Sequence, residues 1–409
     1  MPFTFPRTLL AATLALSFAL PAYSAEPHKQ IQADAEQYKA PALKLLERLV
    51  NIDSGSGYGP GLTQVSDIAV DELKQLGFTI ERVPDAAANS SHVIATLKGS
   101  GKAKILLMAH MDTVFKEGSA AERPFHIKDG RAYGPGVMDD KGGIVAGIYA
   151  LKVLKDQGFK DYAQITFLLD ASEETGSDVA TDLIKKTAKQ HDVTLNLEPG
   201  RPADGLVVWR KGSATALVEV KGKAAHAGVA PELGRNAAME AAHQILQLGK
   251  LGDEAKKTTI NFTVLQAGDR TNVIPDHATA KADVRAAVPE EFDRIEKDLA
   301  RVSQDKLIAE TEVTTSLKRG LPPMPQTAES DRLMAMAQGI YGEIGRKLTE
   351  EGSGGAADAS LSAGVGTPTL DGFGIVGGNI HTPEEYAEVA SVAPRIYLLS
   401  RMIMELAGK

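Results

Sequence analysis

The sequence predicts an α/β protein in which a small β-α-β-β-α-β domain is inserted into a larger one. Short apolar strands alternate with amphipathic helices up to residue 212, a pattern typical of a buried sheet covered on both faces. The order of the elements then changes, and it changes back near residue 322. At 409 residues, the chain also exceeds what one hydrophobic core usually supports.

The elements of the larger domain follow from hydrophobic periodicity. One predicted helix, for example, carries Ile144, Val145, Ile148 and Leu151 on one side. Helices are predicted over 36–50, 63–76, 142–155 and 330–344, and strands over 79–83, 92–98, 104–109, 165–170 and 193–197.

The inserted segment reads as strand 215–221, helix 236–248, strands 258–266 and 278–286, helix 290–304 and strand 310–318. A proline-rich linker follows it at 320–325. We therefore predict one domain from residues 25–212 and 322–409, and an inserted domain at 213–321. Two consecutive domains are the alternative, but they would leave His381 far from the acidic residues that precede it.

The N-terminus resembles a secretory signal. Arg7 precedes an apolar run at 8–20 and small residues at 21–25, which predicts a signal peptide at residues 1–24. A membrane anchor or buried helix is the alternative, but the run is shorter than the ~20 apolar residues that span a bilayer. We expect an exported, periplasmic protein with no membrane partner.

Composition excludes several classes of function. The net charge of -8 and the lack of a long basic block argue against a nucleic-acid partner. The chain has no Cys, so it can form neither disulfides nor thiolate ligands. Any metal must be bound by His, Asp and Glu.

Candidate ligands lie where predicted strands end. His110 ends one strand, and Asp112 two residues later could orient its imidazole. Asp139 precedes a helix and could bridge two cations. Taken singly, these residues also fit a loop histidine and a helix N-cap, and the glycine-rich segment before Asp139 lacks the spacing of a phosphate loop.

More carboxylates follow at later strand ends. Glu173 and Glu174 come after strand 165–170, Glu198 follows strand 193–197, and His381 lies in a glycine-rich loop. A solvated acidic turn is the alternative for the glutamate pair. Together these groups predict a two-metal hydrolase of amide bonds, because a water shared by two zinc ions is ionised near pH 7 and a nearby carboxylate can take its proton.

These motifs occur in the order found in one enzyme family: His-Met-Asp-Thr-Val at 110–114, Gly-Pro-Gly-x-x-Asp-Asp-Lys-Gly-Gly at 134–143, Glu-Glu, Glu-Pro, His-Ala-Gly at 226–228, and His381. Over nearly the whole mature chain, the sequence resembles the co-catalytic two-zinc exopeptidase and aminoacylase family of acetylornithine deacetylase and succinyl-diaminopimelate desuccinylase, and most of all its bacterial glutamate carboxypeptidases. The resemblance implies a mixed-sheet zinc-exopeptidase catalytic domain with an inserted ferredoxin-like lid and dimerisation domain.

The resemblance also implies a role for each site residue. His110 and Glu198 would hold one Zn²⁺, Glu174 and His381 the other, and Asp139 would bridge the two. Glu173 would be the general base. The peptide bond between Asp139 and Asp140 would be cis.

Further roles fall on the inserted domain and one loop. His226 would stabilise the oxyanion from the other subunit of a homodimer, and Asn272 matches the lid asparagine of the family. Arg285 would bind a substrate carboxylate, unless it forms only a surface ion pair. Gly355 would let the backbone approach the substrate.

The chain departs from the family at two places. Ala357 stands where relatives have Ser or Thr, and segment 200–208 lacks the Lys that glutamate carboxypeptidases place near the side-chain carboxylate of the substrate. Selectivity for glutamate therefore does not follow from the resemblance.

The sequence predicts an exported homodimeric two-zinc hydrolase that releases a C-terminal amino acid from a peptide or N-acyl conjugate with a free carboxylate. An N-acyl-amino-acid deacylase is the alternative enzyme. A non-catalytic exported protein that binds peptide or metal is the alternative of another class, although it would not need Glu173.

Overall fold

The computed structural model describes residues 28–408, so the predicted signal peptide at 1–24 lies outside the described residues. The helices are, in chain order, Lys29–Val50 (α1), Gly59–Gln75 (α2), Ser119–Glu122 (α3), Lys141–Asp156 (α4), Ala180–Ala188 (α5), Ala237–Leu248 (α6), Pro289–Val302 (α7), Ala328–Glu343 (α8), Ala359–Ala363 (α9) and Val392–Ala407 (α10). None of these helices is both long and apolar enough to cross a membrane.

The strands are Thr79–Asp85 (β1), Ser90–Lys98 (β2), Lys104–His110 (β3), His126–Lys128 (β4), Arg131–Tyr133 (β5), Gln164–Asp170 (β6), Val193–Asn196 (β7), Leu206–Arg210 (β8), Gly212–Lys221 (β9), Ala225–His226 (β10), Thr259–Ala267 (β11), Val273–Ile274 (β12), His277–Ala286 (β13), Glu312–Arg319 (β14), Glu350–Ser353 (β15), Thr369–Leu370 (β16), Gly377–Gly378 (β17) and Tyr386–Glu388 (β18).

A six-stranded mixed sheet forms the centre of the larger domain, in the order β1-β2-β6-β3-β7-β16. Strands β6, β3, β7 and β16 run parallel, whereas β1 and β2 pair antiparallel at the other side of the sheet. The carboxyl ends of the parallel strands therefore meet at one edge of the sheet.

Both faces of this sheet are buried. In β3, Ile105 and Leu107 belong to the main core with α1, α4 and α10, while Leu106 and Met108 belong to a second cluster with α5 and α9. Successive side chains of a strand point to opposite faces, so an unbroken apolar run is what a doubly covered strand requires.

The inserted segment forms a separate four-stranded antiparallel sheet in the order β11-β13-β9-β14. Helices α6 and α7 pack on it around their own core, which includes Val218, Val284 and Ile295. This is the order of a ferredoxin-like β-α-β-β-α-β unit, so the predicted fold class is confirmed. The domain boundaries at residues 213 and 321 stay a prediction.

Several elements escaped the sequence analysis. The strands of the small sheet β17-β18-β5-β4 have two or three residues each, too few to show a period. Helix α1 begins at Lys29 rather than at residue 36, and it continues through Pro41. Helix α10 is buried along almost its whole length, so it lacks the polar face that marks an amphipathic helix.

Candidate active site

The parallel strands place the candidate ligands together. His110 is the last residue of β3 and pairs in register with Asp170, the last residue of β6. Glu173 follows in a short 3₁₀ helix at 173–175. Strand β7 ends at Asn196, two residues before Glu198, and the backbone nitrogen of Leu197 still donates to the Met108 carbonyl of β3. Residues far apart in sequence thus reach one edge of the sheet.

One group of ligand atoms surrounds the Nε2 atom of His110. This nitrogen lies 3.1 Å from Oδ1 of Asp139 and 3.5 Å from Oε1 of Glu198. Donor atoms of Glu173 also come within 4.8 Å of those of His110 and Glu198. Distance alone therefore does not separate the predicted base from the predicted ligands.

A second group surrounds His381. Its Nε2 lies 3.2 Å from Oδ2 of Asp139 and 3.3 Å from Oε2 of Glu174. The two oxygens of Asp139 thus face different histidines, as a bridging carboxylate requires. His381 has a φ of 64°, a left-handed backbone conformation in the glycine-rich loop after β17.

The turn before Asp139 is held by an acid that the sequence analysis missed. The buried carboxylate of Glu385 accepts hydrogen bonds from the backbone nitrogens of Gly136, Met138 and Asp139, at 2.9 to 3.0 Å. Burial raises the pKa of Glu385 to about 7. The peptide bond between Asp139 and Asp140 is cis, in agreement with the resemblance.

Asp112 orients both sides of the site. Nδ1 of His110 lies 3.0 Å from the backbone carbonyl of Asp112 and 3.3 Å from its Oδ1, so the ring can donate to Asp112 and leave Nε2 free to bind a cation. The same carboxylate accepts the backbone N–H groups of Glu173 and Glu174, each at 3.1 Å. It thereby fixes the turn that carries the predicted base.

The carboxylates of the site repel one another. Burial and the neighbouring Glu198 raise the pKa of Glu173 well above its usual value. Burial, opposed by Arg210, raises the pKa of Glu198 to about 7. A hydrogen bond to Asp139 raises the pKa of His381 to about 10. A buried group of acids whose pKa values are raised by burial and mutual repulsion is stabilised by a cation.

The donor set fits zinc. Ligand atoms ~2.0–2.2 Å from a tetrahedral Zn²⁺ lie ~3.3 Å from each other, close to the separations at both histidines. Neutral imidazole and carboxylate are also ordinary zinc ligands. The residues present therefore suit a divalent metal ion, and the ligand atoms of two groups lie within 4.8 Å of one another: His110, Glu173 and Glu198, and His110, Asp139 and Glu174.

Arg210 is a second group that the sequence analysis missed. Its guanidinium lies 3.1 Å from Oε2 of Glu198 and hydrogen-bonds to the buried Asp371. It also donates to the carbonyl of Gly355 at 3.3 Å. Arg210 therefore joins a predicted metal ligand to the predicted substrate loop.

A cavity of about 470 Å³ extends from the metal residues to the inserted domain. Glu173, Glu174 and His381 line one wall, and Arg285, Lys318 and Arg319 line the other. Gly355 and Ala356 lie at its side. Arg285 already contacts Asp283, at 3.0 Å from Nε to Oδ1.

His226 and Asn272 are not among the described residues that line this cavity. His226 lies in β10 and Asn272 directly precedes β12, the strand that pairs antiparallel with β10. Nδ1 of His226 accepts from the backbone nitrogens of Gly228 and Val229, both at 3.2 Å. The carbonyl of Asn272 accepts from Ala227 at 2.9 Å. The single chain does not bring these two residues to the metal cluster, and their roles stay predictions.

Comparison with known proteins identifies the family. The profile of peptidase family M20/M25/M40 matches residues 106–405. Carboxypeptidase G2 of Pseudomonas sp. (strain RS-16) is 38% identical over 98% of this chain and 99% of its own.

Solved structures agree. Aminopeptidase PepT from Bacillus cereus has a TM-score of 0.77 at 26% identity, over 91% of this chain and 99% of its own. The M20 metallo-carboxypeptidase Sso-CP2 from Sulfolobus solfataricus shares the fold, with a TM-score of 0.70 at 18% identity over 90% and 99% of the two chains. The resemblance stated from the motifs is confirmed, and so is the hydrolase class. The chain belongs to peptidase family M20/M25/M40.

Proposed function

We propose that this protein is a two-zinc carboxypeptidase that removes a C-terminal amino acid from a peptide or N-acyl conjugate. The observation that carries the proposal is the Asp139 carboxylate, whose two oxygens face His110 and His381 separately. The similarity of the chain to carboxypeptidase G2 supports release of an amino acid from the carboxyl end of the substrate.

The residues of the chain divide the work. His110, Glu198, Glu174 and His381 would hold the two ions, with Asp139 between them. Bound zinc supplies Lewis acidity and lowers the pKa of a water molecule to about 7. Glu173 takes a proton from water and returns it to the leaving amine, a task suited to a carboxylate with a raised pKa.

The basic wall of the cavity supports a substrate with a free carboxylate. A guanidinium has five N–H donors, so Arg285 can bind a carboxylate with its terminal nitrogens while Nε stays on Asp283. Arg210 is engaged by Glu198 and Asp371 and is not free for this task. An N-acyl-amino-acid deacylase would use the same metal residues and differ in its acyl group.

We further propose that the protein acts as a homodimer through the inserted domain. Met239 and Leu246 share one face of α6 by helical spacing, and Leu246 is 71% exposed. Strand β11 is an edge of its sheet and exposes Val264 and Leu265. Exposed apolar side chains beside an open strand edge favour association with a second copy. Export to the periplasm, inferred from residues 1–24, belongs to the same proposal.

Metal removal tests the cofactor. We expect two zinc ions per chain by elemental analysis, and loss of hydrolysis after dialysis against a chelator. Zinc should restore activity and raise the melting temperature, because it binds only the folded state. The His381→Ala variant should lose at least one of the two ions. Full activity in metal-free protein would contradict the proposal.

The Glu173→Gln variant tests the base. It should retain its zinc and its KM, while kcat falls by about 10²–10⁴-fold, the usual contribution of general base catalysis. Glu384, an exposed glutamate, provides a matched control. The Glu384→Gln variant should keep kcat within twofold of the wild type. Loss of zinc from Glu173→Gln would show instead that Glu173 is a ligand.

The Arg285→Ala variant tests substrate recognition. A charge-assisted hydrogen bond is worth about 1.5–3 kcal/mol, so kcat/KM for dipeptides and folate-type glutamyl conjugates should fall by roughly 10–150-fold. For the same substrates with a C-terminal amide in place of the carboxylate, kcat/KM should change little. An equal loss for both substrate forms would exclude a carboxylate contact. Acetyl-amino acids, assayed in parallel, separate a carboxypeptidase from a deacylase.

Subunit mixing tests the dimer and the lid histidine together. His226→Ala and Glu173→Gln should each have low activity alone. Refolding them together should restore part of the wild-type activity, because a mixed dimer contains one site in which both residues are intact. Sedimentation should give a dimer, which Leu246→Glu should weaken. A monomeric wild type with full activity would contradict this arrangement.

A further inference from the structure

A fully buried charged cluster lies behind the turn that carries Glu173. His92 in β2 has its Nδ1 2.8 Å from Oδ1 of Asp170 and its Nε2 3.3 Å from Oδ2 of Asp85. None of the three side chains is exposed to solvent. Buried charges persist in proteins only when they are paired, so His92 compensates two aspartates that would otherwise be costly.

The cluster continues from Asp170 to Asp358. The charge of Asp170 acts on the carboxyl group of Asp358, and Oδ2 of Asp170 forms no hydrogen bond within residues 28–408. Burial raises the pKa of Asp358 well above its usual value. Burial is the largest single effect on Asp170 too, but the hydrogen bond and charge of His92, with the hydrogen bond from Ser172, together lower the pKa of Asp170. The neutral form is therefore favoured at Asp358 and the charged form at Asp170.

One end of the cluster contacts the segment that leads into the turn bearing Glu173, the proposed base. Oδ1 of Asp170 accepts hydrogen bonds from the backbone N–H of Ser172 at 3.0 Å and from its hydroxyl at 3.4 Å, while Ala171 lies between the two residues in sequence. Ala171 and Ser172 directly precede Glu173. The path of the chain into the base is thus set by the His92–Asp170 pair.

The other end of the cluster, Asp358, directly follows the loop at 353–357, which lies beside the substrate cavity. Asp358 follows Gly355 and Ala356, which line the cavity, and it directly precedes α9. Its Oδ1 also accepts from Oγ of Ser177 at 2.5 Å, just beyond the 173–175 turn. Asp358 therefore connects the two segments that face the substrate from different parts of the chain.

We propose that His92 is a positioning residue for the reaction: through Asp170 it fixes the turn bearing Glu173 and Glu174, and Ser177 at the end of that turn holds Asp358 beside the loop at 353–357. This role rests on the proposed function, in which Glu173 is the base. His92 touches neither the substrate nor the metal residues, so its effect reaches the reaction only through geometry.

The test compares His92→Leu with His191→Leu. His191 is also buried, but it bonds to Thr187 and Thr166 at the opposite end of the sheet. Both variants should melt at lower temperature. Only His92→Leu should lower kcat measured with saturating zinc, by about 10–100-fold, the usual effect of removing a residue that orients site residues from outside, with KM nearly unchanged. His92→Gln, which keeps a donor, should recover part of kcat.

A second pair of variants tests which of the two acids, Asp170 or Asp358, carries the negative charge. Asp358→Asn keeps a neutral donor toward Asp170, whereas Asp170→Asn removes the charge that faces His92. We expect Asp170→Asn to lose at least tenfold more kcat than Asp358→Asn. Equal losses, or an unchanged kcat in His92→Leu, would overturn the positioning role.

Hydrogen exchange separates this inference from the proposed function. Amides of 171–177 and 353–357 should exchange faster in His92→Leu than in His191→Leu, whether or not the substrate class has been identified correctly. Equal exchange in the two variants would overturn the inference. A wild type without peptidase activity would refute the proposed function alone.

Discussion

The site depends on one carboxylate being shared by two histidines. Asp139 can face both His110 and His381 only because its own turn is fixed independently of either ring, by three backbone hydrogen bonds to Glu385. His110 is fixed by the end of β3, and His381 arrives from the loop after β17. Three separately supported segments therefore converge, and a shift in any one of them would separate an oxygen from its partner.

The protein offsets the charge of this convergence with fixed cations outside the metal residues. Arg210 neutralises Glu198 and Asp371, and His92 lies between Asp85 and Asp170. Both are buried, so each would be expensive without its partners. The pKa of Glu173, which has no such cation, is raised well above its usual value, and the pKa of Glu198 is raised to about 7 in spite of Arg210. Metal binding can then use acids that the fold has brought together but not neutralised, which couples metal affinity to folding.

The sequence analysis found the site residues whose position follows from the direction of the parallel strands alone. Since parallel strands end at a common edge, His110, Glu173 and Glu198 could be placed together without knowledge of any contact. Glu385 and His92 could not, because their importance arises from partners distant in sequence. Glu385 looks like its exposed neighbour Glu384, and His92 looks like any histidine that begins a strand. Short strands such as β17 escaped because two residues carry no period.

In the proposed function, the chemistry and the specificity of this protein are located in different domains. The sheet edge supplies the groups that act on an amide bond, and these would serve an aminopeptidase, a carboxypeptidase or a deacylase alike. The opposite wall comes from the inserted domain, where Arg319 is engaged by Asp293 and Glu296 while Arg285 contacts only Asp283 among the described ion pairs. A substrate carboxylate gains most where the cation is least neutralised, so Arg285 and Lys318, which lines the same cavity and forms no ion pair among the described residues, should decide which end of a peptide enters the cavity, rather than Arg319.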